Sequence, residues 1–171
     1  MSAVQMLPDF QATWHRKLHP DCFVCSKGNL SGLGLEFTVD ANGGVVSRFR
    51  GDASFSGYRD RIHGGVIASL LDGAMAYCAY VHGLVAVTAD LQVRYHEPVR
   101  VAELVHVRAW LVDVRGPVYR LGGEIRAGQD VRVSARAKFM TTPELPTARG
   151  SASRSGRCRP AAQPVDLLGR E

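Results

Sequence analysis

The segment Gly65–His82 constrains the fold more than any other part of this 171-residue chain. It is rich in Ala, Leu and Met and is apolar on nearly every helical face, and Gly83 follows as a natural helix stop. Eighteen helical residues span about 27 Å. A helix without a polar face has to be enclosed by other elements, so the sequence predicts a helix that is buried all round.

The same segment borders on the length of a membrane span. Asp72 near its middle would cost roughly 3 kcal/mol in lipid, which favours a buried helix of a globular protein over a membrane span. Residues 1–20 contain no apolar stretch of signal-peptide length. We therefore expect a cytoplasmic protein with reduced cysteines and no contact with a membrane.

Strand-like segments flank the predicted helix on both sides. Two precede it and are joined by an Asn-Gly-Gly turn signal at residues 42–44, namely Leu33–Val39 and Val45–Arg50. Four alternating segments follow it, namely Val87–Glu97, Glu103–Val114, Val118–Ala127 and Val131–Thr141. This order predicts an α+β domain in which one antiparallel sheet of five to six strands curls around the helix.

Composition divides the chain into three parts. Residues 1–30 are polar and irregular and are expected to pack on the domain, and residues 31–142 carry the helix and the strands. Residues 143–171 are rich in Pro, Ser and Arg, which predicts a disordered basic tail. Because residues 149–171, within this tail, hold +3 of the net charge of +5, the high isoelectric point does not indicate binding to nucleic acid.

His63, Gly64 and Gly65 stand where the helix is predicted to begin. Backbone N–H groups are unpaired there and the helix dipole is positive, while glycine allows close approach of a ligand. An oxyanion or a polarised carbonyl could therefore accept from the N–H of Gly64 or Gly65. The alternative is that the glycines only relieve crowding at a turn and that His63 only bonds a backbone group.

Asp72 is the only ionised residue of the apolar helix. A poorly solvated carboxylate suits a nucleophile or a general base, although it could instead cap a backbone N–H or pair with an arginine. Gly64 and Asp72 are eight residues apart, so they lie about 12 Å apart along the helix and about 80° apart around it. If both act on one carbonyl carbon, two copies of the helix must run antiparallel across a dimer interface.

These residues resemble a known motif. His63-Gly64-Gly65, with Asp72 nine residues after the histidine, is similar to the motif of the phenylacetate-pathway type of acyl-CoA thioesterases in the hotdog superfamily. The segment Val87–Pro98 resembles the strand that follows the helix in that family, and the likeness covers about residues 30–141. The resemblance implies a hotdog fold and hydrolysis of acyl-CoA thioesters to a free acid and coenzyme A. It further implies a homodimer or homotetramer that needs no cofactor.

The resemblance also implies roles for individual residues. Asp72 would attack the thioester carbonyl or activate water, and Gly64 N–H of the partner subunit would polarise the carbonyl. Thr88 would position water, and His63 would orient the site. One departure is Gly57, where some relatives carry an asparagine. That departure leaves a non-catalytic acyl-CoA-binding module as the alternative function, whereas a hydratase is disfavoured because its Asp-x-Asn-Pro-x-His pattern is absent.

Four further residues are candidates, with Gly65, for binding the substrate. Arg115 and Gly116 lie in a predicted turn, and Arg136 and Lys138 share one face of the last strand. Arginine and lysine pair readily with phosphates such as those of coenzyme A. The alternative is that these side chains are solvated surface.

Cys22 and Cys25, preceded by His19, have the spacing of half a zinc site. A structural zinc ion needs four ligands, and the remaining cysteines do not supply a second pair, because Cys78 lies in the helix and Cys158 in the tail. The sequence therefore predicts a packed N-terminal segment and no metal site.

Overall fold

The computed structural model describes residues 19–141. Its elements are, in chain order, β1 (Thr38–Val39), β2 (Val45–Phe49), a 3₁₀ turn (Ala53–Phe55), α1 (Gly64–Val81), β3 (Val87–Tyr95), β4 (Val105–Arg115), β5 (Val118–Ala127) and β6 (Asp130–Met140). The helix and five of the strands lie within two residues of their predicted bounds, and the predicted α+β class is confirmed. The predicted tail, residues 143–171, lies outside the described residues.

The six strands form one antiparallel sheet in the order β1-β2-β4-β5-β6-β3. β3 follows α1 in sequence but pairs with β6, so α1 connects β2 to a strand at the edge of the sheet opposite β1. Alternate residues of β4 and β6 are buried against α1, as expected for a sheet with one covered face. The other edge of β3 has no strand beside it among residues 19–141.

The helix packs across the middle of the sheet. Leu70, Leu71 and Met75 are fully buried, together with Leu121 and Phe139 of the sheet. Gly123 of β5 permits this approach, because a Cβ at that position would lie 3.1 Å from Leu71 Cδ2. α1 is long and apolar enough to span a bilayer by length and composition alone, but here it forms the core of the domain.

The expectation that α1 is enclosed on every side is wrong for the single chain. Gly65, Ser69, Asp72 and Ala76 form a stripe at spacings of four, three and four along the helix, and none of them is fully buried. The sheet covers one side of α1 and residues preceding β1 cover another, so this stripe is left open. Asp72 is accordingly half-buried, not buried as expected.

The strand predicted at Leu33–Val39 begins only at Thr38. Before that point, the N–H groups of Leu33 and Leu35 donate to the carbonyls of Phe23 and Val24, at 2.7 and 2.8 Å. The alternating pattern there therefore reflects pairing with the N-terminal segment and not with the sheet. Val24 in turn packs on the helix, where a Cβ added to Gly73 would lie only 2.4 Å from Val24 Cγ1.

Candidate active site

Asp72 has one hydrogen-bond partner within residues 19–141. The Thr88 hydroxyl on β3 donates to Asp72 Oδ1 at 2.7 Å. In this described range no arginine pairs with the carboxylate, and the carboxylate accepts from no backbone N–H. The two structural roles considered for Asp72, an ion pair with arginine and a cap of a backbone N–H, are therefore without support. Its second oxygen, Oδ2, is left available to accept a proton or to approach a carbonyl carbon.

A β-bulge in β3 turns Thr88 toward the helix. Thr88 lies opposite Phe139 of β6, whereas Asp90 lies opposite Lys138, so one extra residue separates the two pairs. Residues directly opposite each other share a face of the sheet. Phe139 faces the core and Lys138 the outer surface. Without the bulge, Thr88 would share the outer face with Asp90 and could not reach Asp72.

The start of α1 leaves its first backbone N–H, that of Gly64, available. His63 is the N-cap, and its Nδ1 accepts from Gly65 N–H at 2.9 Å. Accepting through Nδ1 requires the imidazole proton to be on Nε2. The Gly65 amide, predicted to contact substrate, is thus engaged within the chain, while the Gly64 amide has no acceptor in the described part of the chain.

Tyr95 also belongs to this end of the helix, and no functional role is predicted for it from the sequence. Its hydroxyl donates to the Gly64 carbonyl at 2.8 Å. Tyr95 lies opposite Val133, a core residue, so it shares the helix-facing side of β3 with Thr88. The edge strand is therefore hydrogen-bonded to α1 at two points, Thr88 to Asp72 and Tyr95 to Gly64. An aromatic residue in an alternating strand is normally a core residue, so the pattern carried no signal of this contact.

Gly57 lies directly against His63. A Cβ at this position would be 3.0 Å from His63 Cδ2 and 3.2 Å from His63 Cα. The backbone of the loop is fixed beside the histidine, since His63 N–H donates to the Phe55 carbonyl at 2.8 Å. A residue with a side chain at position 57 would have to displace the loop or the imidazole.

The cationic candidates lie apart from Asp72. Lys138 and Arg136 are opposite Asp90 and Gln92 on the outer face, the other side of the sheet from α1. Lys138 forms an ion pair with Asp90 at 3.1 Å. A single chain therefore does not bring Arg136 or Lys138 together with Asp72.

The β4–β5 turn, which holds Arg115 and Gly116, lies at the end of the sheet where Thr88 is found. Gly116 has a φ of +60° in this turn, a conformation that favours glycine. Arg115 forms an ion pair with Asp113 at 2.9 Å. The turn lies at the same end of the sheet as Thr88, because Val118 and the first residue of β3 are both paired with Met140.

A cleft of about 610 Å³ lies beside the helix start. Its walls are residues 30–35, β2 and the loop that ends at Phe55, whose carbonyl holds the His63 amide. Arg48 and Arg50 line the cleft and are exposed, and neither forms a salt bridge within residues 19–141. These two cations were not among the predicted binding residues, because single arginines in an alternating strand are usually solvated surface.

Comparisons with known proteins agree with this architecture. Residues 60–134 match the family model of the Thioesterase superfamily. Acyl-coenzyme A thioesterase THEM4 of Mus musculus is 34% identical over 88 residues, which are 50% of this chain and 38% of the relative, so the chain spans well under half of that protein.

Solved structures have the same fold. A crystal structure of a thioesterase superfamily protein is 27% identical, with a TM-score of 0.66 over 68% of this chain and 61% of that one. The E. coli PaaI protein of the phenylacetic acid degradation operon is 21% identical, with a TM-score of 0.65 over 77% of this chain and 98% of its own. The described residues therefore adopt the hotdog fold of these structures, and residues 60–134 are similar to the Thioesterase superfamily by family model.

Proposed function

We propose that this chain hydrolyses acyl-CoA thioesters to a free acid and coenzyme A. One observation carries the proposal. Asp72 is held by Thr88 through Oδ1 with Oδ2 available, on a helix whose first amide, Gly64 N–H, also lacks an acceptor among residues 19–141. A carboxylate and an unpaired amide are the two groups that thioester hydrolysis needs. The similarity to a relative named acyl-coenzyme A thioesterase supports the same substrate class.

Asp72 supplies the base or the nucleophile. As a base, Oδ2 takes a proton from water while the water oxygen bonds to the thioester carbon. The C–S bond then breaks, and the proton passes to the departing coenzyme A thiolate. As a nucleophile, the carboxylate bonds to the same carbon first and the C–S bond breaks, so coenzyme A leaves as the thiolate and a mixed anhydride forms. Water then hydrolyses the anhydride, which returns the Asp72 carboxylate and releases the acid, and a proton of that water passes to the thiolate. In either route the Thr88 hydroxyl fixes the orientation of the carboxylate, and it lies within reach of a water at Asp72.

Gly64 supplies the oxyanion donor. Its N–H points out of the first turn of α1, where the helix dipole adds a positive potential. His63 orients this turn by accepting from Gly65, and Tyr95 does so by donating to the Gly64 carbonyl. With its proton on Nε2, His63 acts here as an orienting group.

Two copies of the chain complete one site. Gly64 and Asp72 are eight residues apart on α1, about 12 Å along the axis, so one thioester carbon cannot contact both groups of the same chain. The open stripe on α1 and the unpaired edge of β3 support a second copy docked along this side of the molecule. We therefore propose a homodimer, or a tetramer built from such dimers, in which Asp72 of one chain faces Gly64 of the other.

Arg48 and Arg50 suit the phosphates of coenzyme A. They line the cleft beside His63 and have no carboxylate partner in the described range, so they do not lose an ion pair when a phosphate binds. Arg115 and Lys138 are each paired with an aspartate of the same chain. Those pairs would have to exchange partners before either residue could bind a phosphate.

The test is hydrolysis of a panel of acyl-CoA thioesters, followed through release of the free thiol. Asp72→Asn keeps the size of the side chain and the acceptor for Thr88 but removes the base, so the rate should fall roughly 10²–10⁴-fold. Asp90→Asn is the matched control, because it removes a carboxylate of β3 on the outer face, and it should leave the rate nearly unchanged. Equal activity of wild type and Asp72→Asn rejects the proposed role of Asp72.

A non-catalytic acyl-CoA-binding module is the second candidate, and Gly57 favours it. Gly57 supplies no polar side chain to the site, and an asparagine here would have to shift His63 or the loop, since its Cβ would lie 3.0 Å from His63 Cδ2. An acyl-CoA that raises the melting temperature without any release of thiol would support this candidate over the hydrolase.

A further inference from the structure

A cluster of metal-ligating side chains lies in the N-terminal segment, apart from the candidate active site. The ligand atoms of His19, Cys22 and Cys25 all lie within 4.8 Å of one another, and all three residues are half-buried. Within residues 19–141 these three form the one group of this kind. The proposed hydrolysis makes no use of them.

The backbone of the loop is ordered around the first cysteine. Ser26 N–H donates to the Cys22 carbonyl at 3.0 Å, and Cys22 N–H donates to the His19 carbonyl at 3.4 Å. Val24 N–H points at Cys22 Sγ, at 3.4 Å. These contacts fix the position of the Cys22 sulfur in the loop.

His19 is oriented by a residue of the helix. Its Nε2 lies 2.6 Å from the hydroxyl oxygen of Tyr80, and the two rings meet edge to face. In the tautomer in which Nε2 donates to Tyr80, Nδ1 keeps its lone pair. A hydrogen bond to the second nitrogen is the usual way in which a metal-ligating histidine is positioned.

We propose that His19, Cys22 and Cys25 bind a zinc ion. Two thiolates and an imidazole are ligands that zinc prefers, and the two thiols lose their protons to solvent as the ion binds. A tetrahedral zinc ion would set the ligand atoms about 3.5–3.8 Å apart, within the spacing that the loop already has. The described residues fill three positions, and water fills the fourth.

Zinc binding would fasten this loop to the helix beside Asp72. Val24 lies between the two cysteines and packs on Gly73, the residue after Asp72, while Tyr80 holds His19 farther along α1. The ion would therefore stabilise the contact between the loop and the helix. Its presence can be tested without reference to thioester hydrolysis.

The first test is the metal content of the full chain, purified under reducing conditions without a chelator. We expect about one zinc ion per chain by elemental analysis, and cobalt added to the chelated protein should give a thiolate-to-metal charge-transfer band. Because these measurements use the unaltered chain, they do not depend on the folding of a variant. A zinc content below about a tenth of an ion per chain with no cobalt band overturns the proposal, as does a Cys22–Cys25 disulfide in the reduced preparation.

The second test assigns the ligands. The double variant Cys22→Ser/Cys25→Ser should lose both the zinc and the cobalt band, whereas Cys158→Ser, which removes a thiol outside the described residues, should retain them. A chelator should lower the melting temperature of the wild type and of Cys158→Ser but not that of the double variant. Equal zinc content in the double variant and the wild type overturns the assignment.

Discussion

The hydroxyl of Thr88 donates a 2.7 Å hydrogen bond to Oδ1 of Asp72, sixteen residues earlier in the chain. This bond joins the edge strand to the middle of the helix, and it exists because the bulge after Thr88 reverses the alternation of β3. The bond therefore holds the carboxylate in one orientation. Its second oxygen, Oδ2, is left available at the open stripe of α1.

The first prediction concerns this bond. Thr88→Val has nearly the same shape but no hydroxyl donor, so the carboxylate loses its one partner within residues 19–141. We expect the rate of thioester hydrolysis to fall about tenfold, while the free energy of unfolding falls by about 0.5–1.5 kcal/mol, the net value of one hydrogen bond. Steady-state kinetics and urea unfolding measure the two effects. Thr88→Ser keeps the donor and should behave like wild type, and a rate for Thr88→Val equal to that of Thr88→Ser would contradict the assigned role.

The sequence located Asp72 and Thr88 but not the geometry that joins them. The helix and the strands after it follow from local patterns, because periodicity and turn residues are properties of short segments. The bulge and the contact of Tyr95 with Gly64 depend on how β3 registers against β6, which no local pattern encodes. The open stripe of α1 was missed for a related reason. The small apolar residues of the stripe predict that this face of the helix is buried. They do not distinguish burial by the same chain from burial by a second chain.

The second prediction concerns the packing of Val24 on Gly73. Gly73→Ala would place a methyl group 2.4 Å from Val24 Cγ1, so we expect a loss of about 1–3 kcal/mol in the free energy of unfolding. In the double variant Gly73→Ala/Val24→Ala the 2.4 Å contact is removed, and the nearest atom of residue 24 is its Cβ, at 3.0 Å. The double variant should therefore lose less stability than the sum of the two single changes, as measured by urea unfolding. Additive losses would mean that the segment does not dock on the helix in this way.

The third prediction concerns pH. Burial lowers the pKa of His82, which follows the last turn of α1, while a hydrogen bond with the backbone of Gly43 opposes the shift. The unfolded chain therefore binds a proton near pH 6.5, before the folded chain does, so His82 contributes stability above that pH and the contribution is lost as the pH falls.

The part of the decline that His82 causes should be no steeper than about 1.4 kcal/mol per pH unit, the value for one proton. Burial also lowers the pKa of His19, so the comparison with the His82 variant isolates the contribution of His82. Urea unfolding from pH 7.5 down to pH 5, about the range in which histidine titrates, measures the decline. His82→Gln should flatten the decline relative to wild type, whereas His106→Gln, at an exposed position of β4, should not. A wild-type and a His82→Gln profile of equal slope would show that His82 does not contribute.

The fourth prediction isolates the Gly64 amide. Proline is tolerated at the first position of a helix, and His63 already has the extended conformation that a residue before proline requires, with φ of −61° and ψ of 137°. Gly64→Pro therefore removes one N–H while keeping the helix, and we expect a loss in kcat of about 10²–10³-fold. Gly64→Ala keeps the N–H, and its Cβ would lie in ordinary contact with the Tyr95 hydroxyl at 3.5 Å. The alanine variant should retain most of the activity, so equal losses in both variants would point to crowding and not to a missing donor.

The fifth prediction tests whether the site is shared between two copies. Asp72→Asn and Gly64→Pro chains are each expected to be inactive alone. In a mixed dimer, Asp72 of the Gly64→Pro chain faces Gly64 of the Asp72→Asn chain, so one of the two sites is intact. Random pairing of equal amounts makes half of the dimers mixed, and the activity should recover to about a quarter of the wild-type value.

Co-expression with two different affinity tags, followed by purification through both, isolates the mixed dimers and should raise the recovery to about half. Two copies of the same variant carried on the two tags provide the background rate. If Gly64 and Asp72 served the same site from within one chain, every chain in the mixture would lack one of the two groups. A shared site is expected because about 12 Å of helix separates the two groups within each chain. Activity of the purified mixed dimers no higher than this background would exclude it.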